Sequence, residues 1–252
     1  MKTGEFCYWC GKVATSKEHV PPKCLFPEMK DTNGIYDKSF RMNLIRVPSC
    51  DEHNIDKSHE DEYLMACLSG RVGNNGVAYV HTATKVKRAR DRNPHLLNVA
   101  RDDKLSLSGK EYPVQWIKID NYKLARSFEA IARALFYHKT KDIFSGECKI
   151  VSDIFIQPSD KKWSSFNIRA VKLIESEQRH WGTEVKGKNA DIFTYQFSPI
   201  DGYKCQTLAL TFYKATKVYV GLCGMNQQEI NRVKPKFNFL AKAIFGDLEC
   251  SL

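Results

Sequence analysis

Seven residues in the first quarter of the chain are of types that hold metal or move protons. Cys7-x2-Cys10 and Cys50-x2-His53 form a CxxC…CxxH set, three thiolates and an imidazole in the paired spacing of a closed zinc site. Four protein ligands leave no open position for water, so that ion serves structure. Glu18 and His19 stand between the two pairs, and Asn54 directly follows His53. A carboxylate and an amide oxygen suit a hard cation such as Mg2+ or Mn2+. An imidazole has the ordinary pKa of a general base at neutral pH. Successive strand residues point to opposite faces, which suits one of Glu18 and His19 holding cation and the other holding water. Lys57 lies three residues beyond Asn54, on the same helical face, where it would meet a phosphate.

The elements that must position these groups can be read around them. Phe6–Lys12 is expected to be a tight knuckle, with Gly11 supplying its turn. Val13–Val20 reads as a strand stopped by Pro21-Pro22, and residues 23–40, with Pro27 and Asn33-Gly34, as a long loop. Leu44–Val47 reads as a second strand closed by Pro48. Ser49 is a candidate N-cap for a helix from about Cys50 to Leu68, stopped at Ser69-Gly70. The order is strand, strand, helix.

In this order and spacing the segment 7–63 resembles the HNH endonuclease family, the ββα-metal nucleases, in the variety that carries an added zinc site. The residues that carry the resemblance are Cys7-x2-Cys10, Glu18-His19, Asn43 before the second strand, and Cys50-x2-His53-Asn54-x2-Lys57. The resemblance implies that Glu18 and Asn54 hold the catalytic cation, that His19 is the general base and that Asn43 orients it. It also implies phosphodiester hydrolysis in nucleic acid, with DNA the expected substrate, and by analogy a setting such as phage defence, restriction or mobile elements. Glutamate stands at position 18 where the family often has aspartate, one methylene shorter.

Composition and charge agree with such a partner. With 42% apolar and 27% charged residues the chain has the make-up of a soluble globular protein, and no apolar run is long enough to span a bilayer. Nine cysteines are an odd number, and six of them are scattered singly; they read as buried thiols in a reducing, cytoplasmic setting. The net charge is +10 and uneven: residues 1–70 carry 9 Lys/Arg against 11 Asp/Glu, residues 71–111 carry 9 against 4, and residues 112–252 carry 21 against 14. An acidic unit that gathers a cation is thus followed by basic chain suited to phosphates. Lys85, Lys87, Arg88, Arg90 and Arg92 form the densest basic run, expected as a strand or arm along a nucleic-acid backbone; an ordinary solvated charged face is the plainer alternative.

Beyond the nuclease-like unit (1–70) and a basic linker (71–111), residues 112–252 are expected to form a second α+β domain with an antiparallel sheet. Tyr112–Ile119 reads as a strand, and Leu124, Phe128, Ile131 and Leu135 mark an amphipathic helix over 121–139. Phe193–Phe197, Thr207–Phe212 and Val218–Leu222 read as strands, and residues 228–245 as a helix. Nucleic-acid binding or homodimerisation is the work expected of this part. Two other functions fit the same residues: a zinc-stabilised binding module whose nuclease centre no longer cleaves, and a redox protein built on Cys7-x2-Cys10 alone.

Overall fold

A computed structural model describes residues 5–32, 34–54, 58–156 and 161–245. The knuckle opens the chain: the Gly11 N–H donates to Cys7 O (3.1 Å) and the Cys7 N–H to Lys12 O (2.8 Å). Gly11 has φ +71°, a conformation that costs glycine nothing. Strand β1, Ser16–Val20, pairs antiparallel with β2, Ile45–Ser49, in the register Glu18 opposite Val47 and His19 opposite Arg46. Both strands are shifted from their expected bounds. Val13 is taken up by a bridge to Phe6, and Pro48 is paired inside β2, where its carbonyl accepts from the Tyr8 N–H (3.0 Å).

Residues 23–40 are not wholly a loop. They contain a single 3-10 turn, Lys23–Leu25, and a short helix α1, Met29–Thr32. The expected helix after β2 is described in two pieces, α2 (Asp51–Asn54) and α3 (Ser58–Ser69). Ser49 does not cap it. The Ser49 hydroxyl is buried and donates to Cys50 O (3.3 Å).

The basic run 84–92 is helical, not an extended arm. Helix α4 (Gly76–His81) continues through a π-helical turn (Thr82–Val86) into α5 (Lys87–Arg92). Asn75 starts it, its Oδ1 accepting from the Ala78 N–H at 3.1 Å. The inner face carries Val77, Ala78, Val86 and Ala89, and also fully buried His81. Strand β3, Asn98–Leu107, then pairs with β4, Lys110–Lys118, as a two-stranded ribbon.

Helix α6 spans Asn121–Thr140. Asp120 caps its start (Oδ1 to the Lys123 N–H, 3.1 Å) and Lys141, at φ +67°, ends it. Its apolar face, including Leu124, Phe128, Ile131 and Leu135, is fully buried. It packs on β1, β2 and α3 on one side and on β5 (Glu147–Ser152) and β8 (Thr216–Cys223) on the other. Helix α7, Lys161–Gln178, follows β5. The remaining strands β6 (Phe193–Phe197), β7 (Cys205–Phe212) and β8 (Thr216–Cys223) join β5 in an antiparallel sheet of order β5-β8-β7-β6, and α8 spans Gln227–Phe245. The chain is therefore α+β with antiparallel sheets, and one continuous core runs from Cys7 and Tyr8 to Leu222. Tyr213, fully buried, donates its phenol to Leu25 O (2.8 Å), fastening the sheet to the turn beside β1. No helix among the described residues is long and apolar enough to cross a membrane.

Candidate metal centre and the adjoining hairpin

The knuckle and the start of α2 bring the four predicted ligands together. Cys7 Sγ lies 3.8 Å from His53 Nδ1, Cys50 Sγ 3.2 Å from the same nitrogen, and Cys10 Sγ 3.7 Å from Cys50 Sγ. All four ligand atoms fall within 4.8 Å of one another. Zinc bonds of about 2.3 Å to sulfur and about 2.05 Å to nitrogen give tetrahedral edges of about 3.8 Å between sulfurs and about 3.6 Å from sulfur to nitrogen. The cluster therefore fits one metal ion such as zinc. No disulfide competes for these thiols.

The electrostatics prepare the ligands unevenly. Burial pushes the Cys7 thiol up, but backbone N–H groups of Cys10, Cys50 and Trp9 outweigh it and hold the group below its ordinary pKa. Burial leaves Cys50 above its ordinary value, with the neighbouring thiols adding to the shift. Burial chiefly holds the His53 imidazole below its ordinary pKa, which favours the neutral ring that binds metal. Trp9 stacks on the His53 ring at 5.0 Å and 19°, and the Arg133 guanidinium of α6 lies over Trp9 at 5.2 Å. Lys12 and Thr15 tie the knuckle to the helix start through Glu52 (2.8 Å) and Asp51 (2.6 Å).

Asn54 follows His53 and turns back onto β1. Its Nδ2 donates to Ser16 Oγ (2.7 Å), and Ser16 Oγ in turn donates to Ser49 O (3.2 Å). Among the described residues the Asn54 side-chain oxygen has no hydrogen-bond partner, so it can take another. Ser16 and Glu18 are two apart on β1 and share a face. Glu18 is buried, 6% exposed, and its carboxylate lies close enough to the Tyr8 phenol to raise that group, after burial, well above its ordinary pKa. Glu18 and Asn54 thus occupy one side of the hairpin.

His19 alternates to the other face and is half-buried. Its imidazole is held below the usual histidine pKa by burial first, then by Lys23, Arg46 and Arg41, with Glu18 opposing them. This basic surround was invisible in the sequence, because the register that sets Arg46 opposite His19 is not a local feature. Among the described residues Lys23 and Arg46 make no ion pair, whereas Arg41 is held by Glu28 (2.8 Å) and Phe26 O (2.9 Å). Asn43 is exposed, at φ +55°, just ahead of β2.

The predicted basic contacts are mostly engaged within the chain. Lys87 pairs with Asp91 (2.9 Å), Arg88 with buried Asp31 and Arg92 with Glu62 (2.9 Å). Lys85 turns inward, 3.5 Å from Cys24 O, and burial lowers its pKa. Arg90 makes no ion pair among the described residues. Lys57 lies outside the described residues. No family model matches the chain, and no curated protein or solved structure matches it.

Proposed function

We infer that the protein is a metal-dependent endonuclease of the HNH type, hydrolysing phosphodiester bonds in nucleic acid, with DNA the expected substrate. The observation that supports this most is the tie of Asn54 to the Glu18 face of the β1–β2 hairpin, with His19 on the opposite face of the same strand. Asn54 is tied to Ser16 on the Glu18 face, and His19 sits among Lys23, Arg46 and Arg41. The resemblance of segment 7–63 to the family gives each of them a role.

In this reading His19 accepts the proton of the attacking water. A neutral imidazole is required, and burial with three nearby cations keeps it neutral. The same cations attract a phosphate, whose charge would raise the affinity of His19 for the proton it must take. The Glu18 carboxylate and the Asn54 amide oxygen are the residues that would hold Mg2+ or Mn2+, and such a cation, when bound, stabilises charge on the phosphate and the leaving oxygen. Zinc at Cys7, Cys10, Cys50 and His53 fixes the start of α2 and hence Asn54. Asn43 orients His19 in this reading. The test is incubation of the zinc-loaded protein with plasmid and with oligonucleotides. Cleavage with Mg2+ or Mn2+, none without, and loss in Glu18→Gln and Asn54→Ala are the results expected; cation-independent cleavage contradicts the assignment.

One observation favours a second reading. Glu18 is 6% exposed and lies beside Tyr8, an enclosed position for a group that must meet a hydrated cation. A zinc-stabilised nucleic-acid-binding module without cleavage follows if that carboxylate only supports the fold. Binding that persists with no cleavage under any divalent cation identifies it.

A further inference from the structure

The β3–β4 ribbon is the element least explained by the hairpin and its metal centre. Neither strand packs closely on any other described element; at its base Leu96 is buried in the core, with Leu97 and Ile119 packed against it. A lone two-stranded ribbon is marginal in water unless something packs on it.

Its two faces differ in kind. Alternation along β4 puts Lys110, Tyr112, Val114, Trp116 and Lys118 on one face and Glu111, Pro113, Gln115 and Ile117 on the other. The register adds Arg101 opposite Trp116, Asp103 opposite Val114, Leu105 opposite Tyr112 and exposed Leu107 opposite Lys110 to the first face. Its aromatic rings stand out from the body, Tyr112 at 47% and Trp116 at 49% exposure. The indole is fixed rather than loose: its Nε1–H donates to Asp103 Oδ2 (2.8 Å), and the Arg101 guanidinium lies over the ring at 5.1 Å. The single acid on this face, Asp103, is also occupied by Arg101 (3.2 Å). The opposite face closes its own charges, Lys104 with Glu111 (2.7 Å) and Gln115 with Asp102 (2.9 Å).

We propose that this face is a stacking platform for unpaired bases, so that the protein binds single-stranded nucleic acid, or the single-stranded part of a junction or end, through Trp116 and Tyr112. Exposed rings flanked by Lys110 and Lys118 are what a base and its phosphate need: a π-face every base can use, with cations at either end. A self-associating apolar face would not carry lysines at both ends, which repel their copies across a two-fold axis. The net charge of +10 points the same way. The inference rests on the nucleic-acid reading above, but not on cleavage.

The test uses the zinc-loaded full chain without added Mg2+ or Mn2+, a fluorescein-labelled oligothymidylate, and a duplex of the same length. The double variant Trp116→Ala/Tyr112→Ala is expected to bind the single strand about tenfold more weakly or worse, with duplex binding changed by less than about threefold. Both rings are half exposed, so its thermal unfolding should match the parent; Trp116→Phe, which keeps a ring face, should retain most of the affinity. No loss on the single strand, equal losses on the two probes, or a dimer that becomes a monomer in sedimentation while oligothymidylate affinity is unchanged, overturns the proposal. Absence of cleavage with Mg2+ bears on the catalytic reading alone.

Discussion

The Trp9 indole lies flat on the His53 imidazole, with ring centroids 5.0 Å apart and planes 19° from parallel. The stack does more than bury a ring. It holds one ligand of the Cys3His cluster in orientation, as outer contacts do for metal-bound histidines, and it carries that restraint out to Arg133 on α6. Asn54 is the next residue in the chain, so whatever fixes His53 also fixes the amide that lies against β1.

Stoichiometric zinc is the first expectation. Purified protein should contain one zinc per chain by elemental analysis, and Cys7→Ser or Cys50→Ser should lose it. A site whose metal binding is coupled to folding should cost about 3–5 kcal/mol when broken, a drop of roughly 10 °C in Tm for a chain of this size. A chelator should lower the wild-type Tm and leave the variants unmoved. Metal-free protein of unchanged stability contradicts the cluster's assignment and favours a thiol chemistry at Cys7 and Cys10.

Arg133 is expected to be structural. Its guanidinium is held by Glu129 (2.7 Å) and by the carbonyls of Phe144 and Gly146, and its side chain is only 12% exposed. Arg133→Ala strands those acceptors and should cost about 3 kcal/mol. Arg133→Lys keeps the charge but not the planar fork, and should recover only part of that loss. Chemical denaturation of the two variants checks the order.

The segment next to the hairpin depends on one hydroxyl. Tyr213→Phe removes the bond to Leu25 O and leaves that carbonyl buried without its donor, at a cost of about 1–2 kcal/mol. Tyr213→Leu adds a cavity and should cost more. Equal stability of Tyr213→Phe and wild type, measured in urea, contradicts the role given to this contact.

Acid should act on α4. His81 is fully buried, its Nε2–H donating to Cys24 O (3.1 Å), with Lys85, Asp31 and Arg41 nearby. Burial, reinforced by Lys85, pulls its pKa down to about 4. The unfolded chain takes up this proton near pH 6.5, before the folded one does. The stability is therefore complete above about pH 6.5 and is lost as pH falls toward 4, by about 3 kcal/mol at most. His81→Gln should remove close to one proton from the slope of unfolding free energy against pH across that window. An unchanged slope contradicts the assignment.

How much of this was legible in the sequence depended on whether the signal was local. The ligand pairs at 7/10 and 50/53 are adjacent in the chain, and the α6 pattern at 124, 128, 131 and 135 is uninterrupted; both were readable. The helix over 76–92 was not, because its buried face carries His81 and the inward-turned Lys85, and the π turn at Thr82–Val86 shifts the helical phase. Polar residues on the inner side made a packed helix look like a basic arm. Strand β3 escaped for the opposite reason: its centre R-D-D-K is exposed on both faces, so no alternation marks it. Helix α7 left a usable trace in Phe166, Ala170 and Ile174 at helical spacing. The cations around His19 come from three separate segments, at 23, 41 and 46, and only the folded hairpin relates them.

The central claim, that His19 activates water in a cleavage that also needs a cation at Glu18 and Asn54, is tested most directly by single-turnover cleavage of a defined oligonucleotide with Mn2+, comparing wild type with His19→Ala. The account predicts cleavage by wild type and a loss of about 10²–10⁴-fold in the variant, with one zinc per chain and an unchanged Tm in both. Wild-type protein that binds the oligonucleotide without cutting it, or a variant that cuts as fast as wild type, contradicts it.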